Sequence, residues 1–225
     1  MKRLLIAAVG LTAALLGDAR AADKLDASCA NCHALVKPTD ASLDRLLARK
    51  GPDLWYAGNK FNADWLTAWL QDPKPIRPVG YPYFKTIVQG TEHDVADPTK
   101  VVAHPKLAKA AAEAATAELM KLKGPADLVT AGAFKGDAAG ARMGALAFTK
   151  LRGCVACHQG EEGKGGASGP SLTEAGLRLQ PDFIAAYTAD PQRFDPHVWM
   201  PTLNLKDQDI QRLTAYLSQQ GRGGK

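Results

Sequence analysis

The sequence predicts an all-α protein made of two similar lobes in tandem, on three observations. The word Cys-x-x-Cys-His occurs twice, at Cys29–His33 and Cys154–His158, and uses all four cysteines of the 225-residue chain. The residues after each copy correspond: Gly51-Pro52-Asp53-Leu54 answers Gly169-Pro170-Ser171-Leu172, and Ala63 to Pro73 answers Pro181 to Pro191. Such self-similarity marks a duplicated unit. Third, each half closes on a segment with helical character. Lys106 to Leu122 is alanine-rich, and Lys206 to Gln220 carries apolar residues at helical spacing.

The elements follow in order. Residues 1–21 read as a secretory leader: Lys2 and Arg3, an apolar run from Leu4 to Leu16, then the small-x-small site Ala19-Arg20-Ala21. The run is short for a bilayer span, although an uncleaved anchor is the alternative. The first lobe is expected over 22–123, a linker over 124–136 (GPADLVTAGAFKG), and the second lobe over 137–225. Ala63 to Pro73 and Pro181 to Pro191 each read as a short amphipathic helix stopped by proline, with Asp64/Asp182, Trp65/Phe183, Leu66/Ile184 and Trp69/Tyr187 in register. Glycine and proline punctuate the stretches between them.

The repeated word has a chemical meaning. Two cysteines three positions apart on one helical turn can both form thioethers with one porphyrin, and the adjacent histidine then lies under its iron. Covalent haem at Cys29, Cys32 and His33, and again at Cys154, Cys157 and His158, is therefore the expectation. Half a zinc site or a thioredoxin-like pair is the alternative for a lone Cys-x-x-Cys. Neither accounts for the histidine, and no further cysteine remains to complete a zinc ribbon. Such haem is attached outside the cytoplasm, which agrees with the leader and places the mature chain in the periplasm. Disulfides would otherwise be the natural reading of cysteines in an oxidising compartment.

The formal charge is +5. Cleavage would remove Lys2, Arg3, Arg20 and Asp18, and four haem propionates would bring the balance near neutrality. The basic residues are scattered rather than striped, so nothing resembles a nucleic-acid footprint. No later segment is apolar enough to cross a membrane. Lobes of about 100 and 90 residues are small for an apolar core, and a buried haem would supply the missing apolar mass.

Each half resembles a class I cytochrome c domain: N-terminal helix, Cys-x-x-Cys-His, a Gly-Pro-x-Leu turn, a short aromatic helix, a ligand loop and a C-terminal helix. The resemblance covers nearly all of the chain after the leader. It implies that the carbonyls of Pro52 and Pro170 accept from His33 and His158, which fixes the tautomer and raises ligand basicity. It implies a crossing of first and last helices in the second half, at Gly144 and Phe148 with Tyr216 or Leu217 as partner. It also implies that Met200, ahead of Pro201, is the distal ligand of the second haem; a methionine filling a core gap and a competing His197 are the alternatives.

The first half departs from this pattern. Counting forward from Pro73 puts Tyr81-Pro82 in the place of Met200-Pro201, whereas counting back from the last helix puts His104-Pro105 there. The difference is an insertion over 81–103. His104 is the expected ligand, because it stands just before the last helix. Tyr81, His93, Met120 and an open iron are the alternatives. Methionine favours ferrous iron and a second imidazole favours ferric, so the two haems would differ in potential.

The resulting expectation is a periplasmic dihaem electron carrier. Electrons would enter at haem 1 from a dehydrogenase or cytochrome, and leave at haem 2 to a cytochrome or oxidase. A peroxidase-like enzyme, an enzyme oxidising a small sulfur compound, or a redox or gas sensor would need an open haem 1. Dihaem thiosulfate dehydrogenases resemble this layout but use a cysteine distal ligand, and no cysteine is left over here.

Overall fold

Among the described residues helices supply most of the regular structure, and the two longest of them close the two halves. The computed structural model describes residues 25, 27–92, 94–136 and 140–222. The expected leader (1–21) and His93 lie outside them. In chain order the first half contributes α1 (Ala27–Ala30), α2 (Leu43–Ala48), α3 (Ala57–Lys60), α4 (Ala63–Gln71) and α5 (Lys109–Leu119). The second contributes α6 (Ala141–Leu146), continued by a π-turn to Leu151, then α7 (Ala175–Arg178), α8 (Pro181–Ala189) and α9 (Asp207–Gln219). Two small antiparallel hairpins, β1–β2 (Ile87–Val88 with Val95–Ala96) and β3–β4 (Gln159–Glu161 with Lys164–Gly165), complete the fold.

Local chemistry explains the matched helices α4 and α8. Asp64 and Asp182 sit in their first turns, where acidic side chains favour the positive end of the helix dipole. Pro181 occupies the first turn of α8, where a missing N–H costs nothing. Asp72 and Asp190 end the helices, and Pro73 and Pro191 then forbid their continuation. In α5 the buried residues are Ala112, Thr116 and Leu119, one stripe at helical spacing that packs on α4. The Thr67 and Thr116 hydroxyls meet at 3.0 Å within that contact.

One device fastens the short helix to the closing helix in both halves. The Gly58 N–H donates to the Leu122 carbonyl at 2.8 Å, and the Gly176 N–H to the Gln220 carbonyl at 3.0 Å. A Cβ on either glycine would strike backbone, at the carbonyl of Met120 or of Ser218.

The halves differ at their start. In the second half α6 and its continuation cross α9, with Gly144 against the Arg212 carbonyl and Tyr216, and with Phe148 buried 5.5 Å from the Tyr216 ring. In the first half only the single turn α1 and Leu25 precede the histidine among the described residues, so the N-terminal helix expected there has no counterpart in them. The closing helix α5 rests mainly on α4 instead. Gly144→Ala should force the crossing apart and lower stability by about 2–3 kcal/mol, the upper part of the overpacking range. The denaturant midpoint would report it.

The two halves share one apolar core that includes Trp55, Phe61 and Leu70 from the first, and Phe148, Phe183 and Leu213 from the second. Their junction is reciprocal. Phe61 bridges Leu179; the Asn62 N–H donates to the Arg178 carbonyl at 2.9 Å, and the Gln180 N–H to the Lys60 carbonyl at 3.0 Å. The Asn62 amide donates to Leu177 O at 2.8 Å, and its counterpart Gln180 donates to Phe61 O at 2.7 Å. Arg49 adds an ion bridge, reaching Asp53 at 3.3 Å and Asp195 of the other half at 2.5 Å. The 124–136 segment is no free tether: Leu128 is buried, and the N–H groups of Gly132 and Phe134 both donate to Asp182 at 2.8 Å.

Candidate haem-binding sites

Each Cys-x-x-Cys-His word forms a tight turn. The His33 N–H donates to Cys29 O at 3.0 Å, and the His158 N–H to Cys154 O at 3.0 Å. Each turn therefore carries two thiols and an imidazole in one short stretch. Cys29 and Cys154 are half-buried, and Cys32 and Cys157 are exposed. Before the second turn Gly153 takes φ 70°, a left-handed conformation that glycine adopts without strain.

The Gly-Pro-x-Leu turns orient the imidazoles. His33 Nδ1–H donates to the Pro52 carbonyl at 2.7 Å, and His158 Nδ1–H to the Pro170 carbonyl at 2.8 Å. Nε2 is thereby left as the nitrogen with a free lone pair. The preceding glycines permit this approach, because a Cβ would lie 2.6 Å from His33 Cε1 at Gly51, and 2.6 Å from His158 Cε1 at Gly169. Backbone bonds from Leu54 N to Ala34 O and from Leu172 N to Gln159 O, at 2.8 and 2.9 Å, pin each turn to its motif. Burial pushes the pKa of both imidazoles down, which keeps them neutral as metal ligation requires.

Three distal candidates of the first half, His104, Tyr81 and Met120, lie among the described residues and in different surroundings. The His104 ring lies 6.2 Å from the His33 ring, centroid to centroid, with the planes at 42°. Trp69 packs on its side at 4.7 Å, and His104 Nδ1–H donates to the Pro105 carbonyl at 2.9 Å. Its Nε2 is thus also the nitrogen with a free lone pair. Tyr81 instead sits between the guanidiniums of Arg49 and Arg77, each 5.7 Å from its ring, and burial pushes its pKa up to about 12. It stays a phenol at neutral pH, a poor iron ligand. Met120 caps α5 and lines an open groove of about 640 Å³ with Phe61, Trp65 and Arg222, whose walls include neither proximal histidine.

In the second half Met200 lies in the extended segment ahead of α9, its carbonyl accepting from Gln192 Nε2 at 2.9 Å. His197, read as a solvated loop residue or a competing ligand, is half-buried and donates from Nε2 to Ala41 O of the other half at 2.7 Å. That bond ties the His197 ring to the first half.

The residues fit haem c rather than a bare metal ion. Among the described residues no cluster of three or more His, Cys, Asp or Glu side chains is arranged to hold one. Three cations are instead drawn inward with no carboxylate of the described residues in ion-pair distance. Arg178 is buried, its pKa pushed down to about 10 by burial, and it spends one bond on the Ser171 carbonyl at 2.8 Å. Lys60 is its counterpart in the repeat. Lys60 is only half-buried by surface area, but its ammonium lies 5.0–5.7 Å from the rings of Phe61, Tyr56 and Phe183. Burial, with Arg178 and Arg77 nearby, pushes its pKa down to about 7. Arg77, also held low by burial, is the third. Uncompensated buried cations are costly, and haem propionates are anions that would offset them.

Residues 141–221 match the family model described as Cytochrome c. No curated protein and no solved structure matches the chain. The match over 141–221 supports a cytochrome c domain in the second half, with covalent haem c, Cys154 and Cys157 as the candidate attachment site, and a role in haem electron transfer. The cross-repeat amides Asn62 and Gln180, and the inward cations, did not emerge from the motifs. The register signal was present, since Lys60 and Arg178 both stand nine places after the glycine of Gly-Pro.

Proposed function

We propose that the chain is a periplasmic dihaem cytochrome c that passes single electrons between redox proteins. Haem 1 takes Cys29, Cys32 and His33 with His104 as sixth ligand; haem 2 takes Cys154, Cys157 and His158 with Met200. The observation that carries this reading is the 6.2 Å between the His33 and His104 rings. Two imidazoles sharing one metal, with each nitrogen about 2 Å from it, place their ring centres about 6 Å apart. An open iron, which the peroxidase-like, sulfur-oxidising and sensor alternatives need, is disfavoured by an imidazole at that distance.

The ligand pair sets the direction of flow. Thioether sulfur stabilises ferrous haem and imidazole ferric haem, so electrons enter at haem 1 and leave at haem 2. A gap of ~0.2 V would bias the electron by about three powers of ten, at ~59 mV per decade. The donor is a dehydrogenase or cytochrome and the acceptor a cytochrome or oxidase. Cytochrome c domains are typically extracytoplasmic, and no helix among the described residues is long and apolar enough to cross a membrane.

A redox titration tests this. It should resolve two one-electron steps, and Met200→Ala should lower only the higher, by on the order of 0.1 V within the ~0.8 V that axial ligation spans. The weak far-red sulfur-to-iron band should vanish with it. A shift of both steps, or of neither, would remove Met200 as the ligand.

A further inference from the structure

The insertion that distinguishes the first half does not stay there. Its opening turn folds over the second site. The Pro82 carbonyl accepts from Lys85 N at 3.1 Å, and the Tyr83 carbonyl from Thr86 N at 3.0 Å. The buried Thr86 closes the turn with hydroxyl bonds to the Val79 and Tyr83 carbonyls. From this base Tyr83 meets Trp199 edge-on at 4.7 Å, and Phe84 stacks on Trp199 at 5.8 Å and 26°. Trp199 immediately precedes Met200.

The stretch just before this turn reaches the other side of the site. Ile76 O accepts from Ser171 N at 2.7 Å, and the Arg77 guanidinium donates to Ser168 O. Ser168 and Ser171 bracket Gly169-Pro170, the pair that orients His158. A segment of 11 residues in the first half thus touches both loops that carry the second site's proposed ligands.

We propose that residues 76–86 are a strap that positions the axial ligands of haem 2, with Tyr83 and Phe84 holding Met200 through Trp199. Trp199 is 59 % exposed, and these two rings pack on it; the rest of its loop is held by hydrogen bonds, from Gln192 to the Met200 carbonyl, from Thr202 to Gln192 and from His197 to Ala41 O. A thioether–iron bond competes with other bases for the sixth position, and a loop held in one place keeps sulfur at high effective concentration. The strap belongs to the other half, so it also couples the state of one half to the ligation of the other. This inference rests on Met200 being a haem 2 ligand.

The test is imidazole titration of the ferric, two-haem protein, followed by the sulfur-to-iron band. In Tyr83→Ala/Phe84→Ala, imidazole should displace methionine at about tenfold lower concentration than in wild type, as expected when two aromatic contacts are lost. The higher potential should fall while the lower stays. Trp199→Ala, an exposed site, should give the same result should the double variant not accumulate, and Tyr83→Phe should behave as wild type. Equal imidazole sensitivity in wild type and variants, with the band present in all, would overturn the strap alone. A wild-type protein without the band would overturn Met200 ligation, and the strap with it.

Discussion

Replacing Cys154 and Cys157 with alanine should leave one covalent haem and lower the thermal midpoint by about 10 °C. A loss of about 3 kcal/mol in a chain of this size, at roughly 2–4 °C per kcal/mol, gives that figure. Two effects contribute. The apolar macrocycle no longer completes the core of a small lobe, and the inward cations Arg178 and Lys60 lose an anionic partner. The halves share one core and the Arg49–Asp195 bridge, so unfolding should remain a single transition at the lower temperature. Two separate transitions, one of them at the wild-type midpoint, would show that the halves are energetically independent.

His104→Ala should convert haem 1 from low spin to high spin and open it to cyanide and carbon monoxide. Removing an imidazole withdraws the ligand that stabilises ferric iron. The lower potential should therefore rise, on the order of 0.1 V or more within the ~0.8 V range of axial tuning. Tyr81→Phe should leave the spectrum unchanged, because Tyr81 is held between Arg49 and Arg77. His93→Ala should do the same. A spin change in Tyr81→Phe would assign the ligand to the phenol, and a wild-type haem 1 that is already high spin would favour the enzyme or sensor alternatives.

Much of this was legible in the sequence because its signals are local. The histidine bonds to Pro52 and Pro170 were implied by the resemblance to class I cytochrome c, and the structure adds that a Cβ on Gly51 or Gly169 would strike the imidazole. The ends of α4 and α8 follow from proline. What the sequence concealed is the relation between the halves. The Asn62 and Gln180 amides that join them are unremarkable residues, and their partners are carbonyls, which carry no side-chain signature. The 81–103 insertion read as an enlarged ligand loop of its own half. Its aromatic residues found Trp199 across the junction instead, a contact set by how the repeats embrace. The N-terminal helix expected in the first half has no counterpart among the described residues, because the resemblance counted both halves alike.

The most direct test of two haems on one chain is the intact mass of the purified protein under denaturing conditions. The account predicts the mature polypeptide plus two haems, with none released by acid-acetone and no reactive thiol left at Cys29, Cys32, Cys154 or Cys157. A mass of polypeptide plus one haem, with free thiols at Cys29 and Cys32, would contradict it.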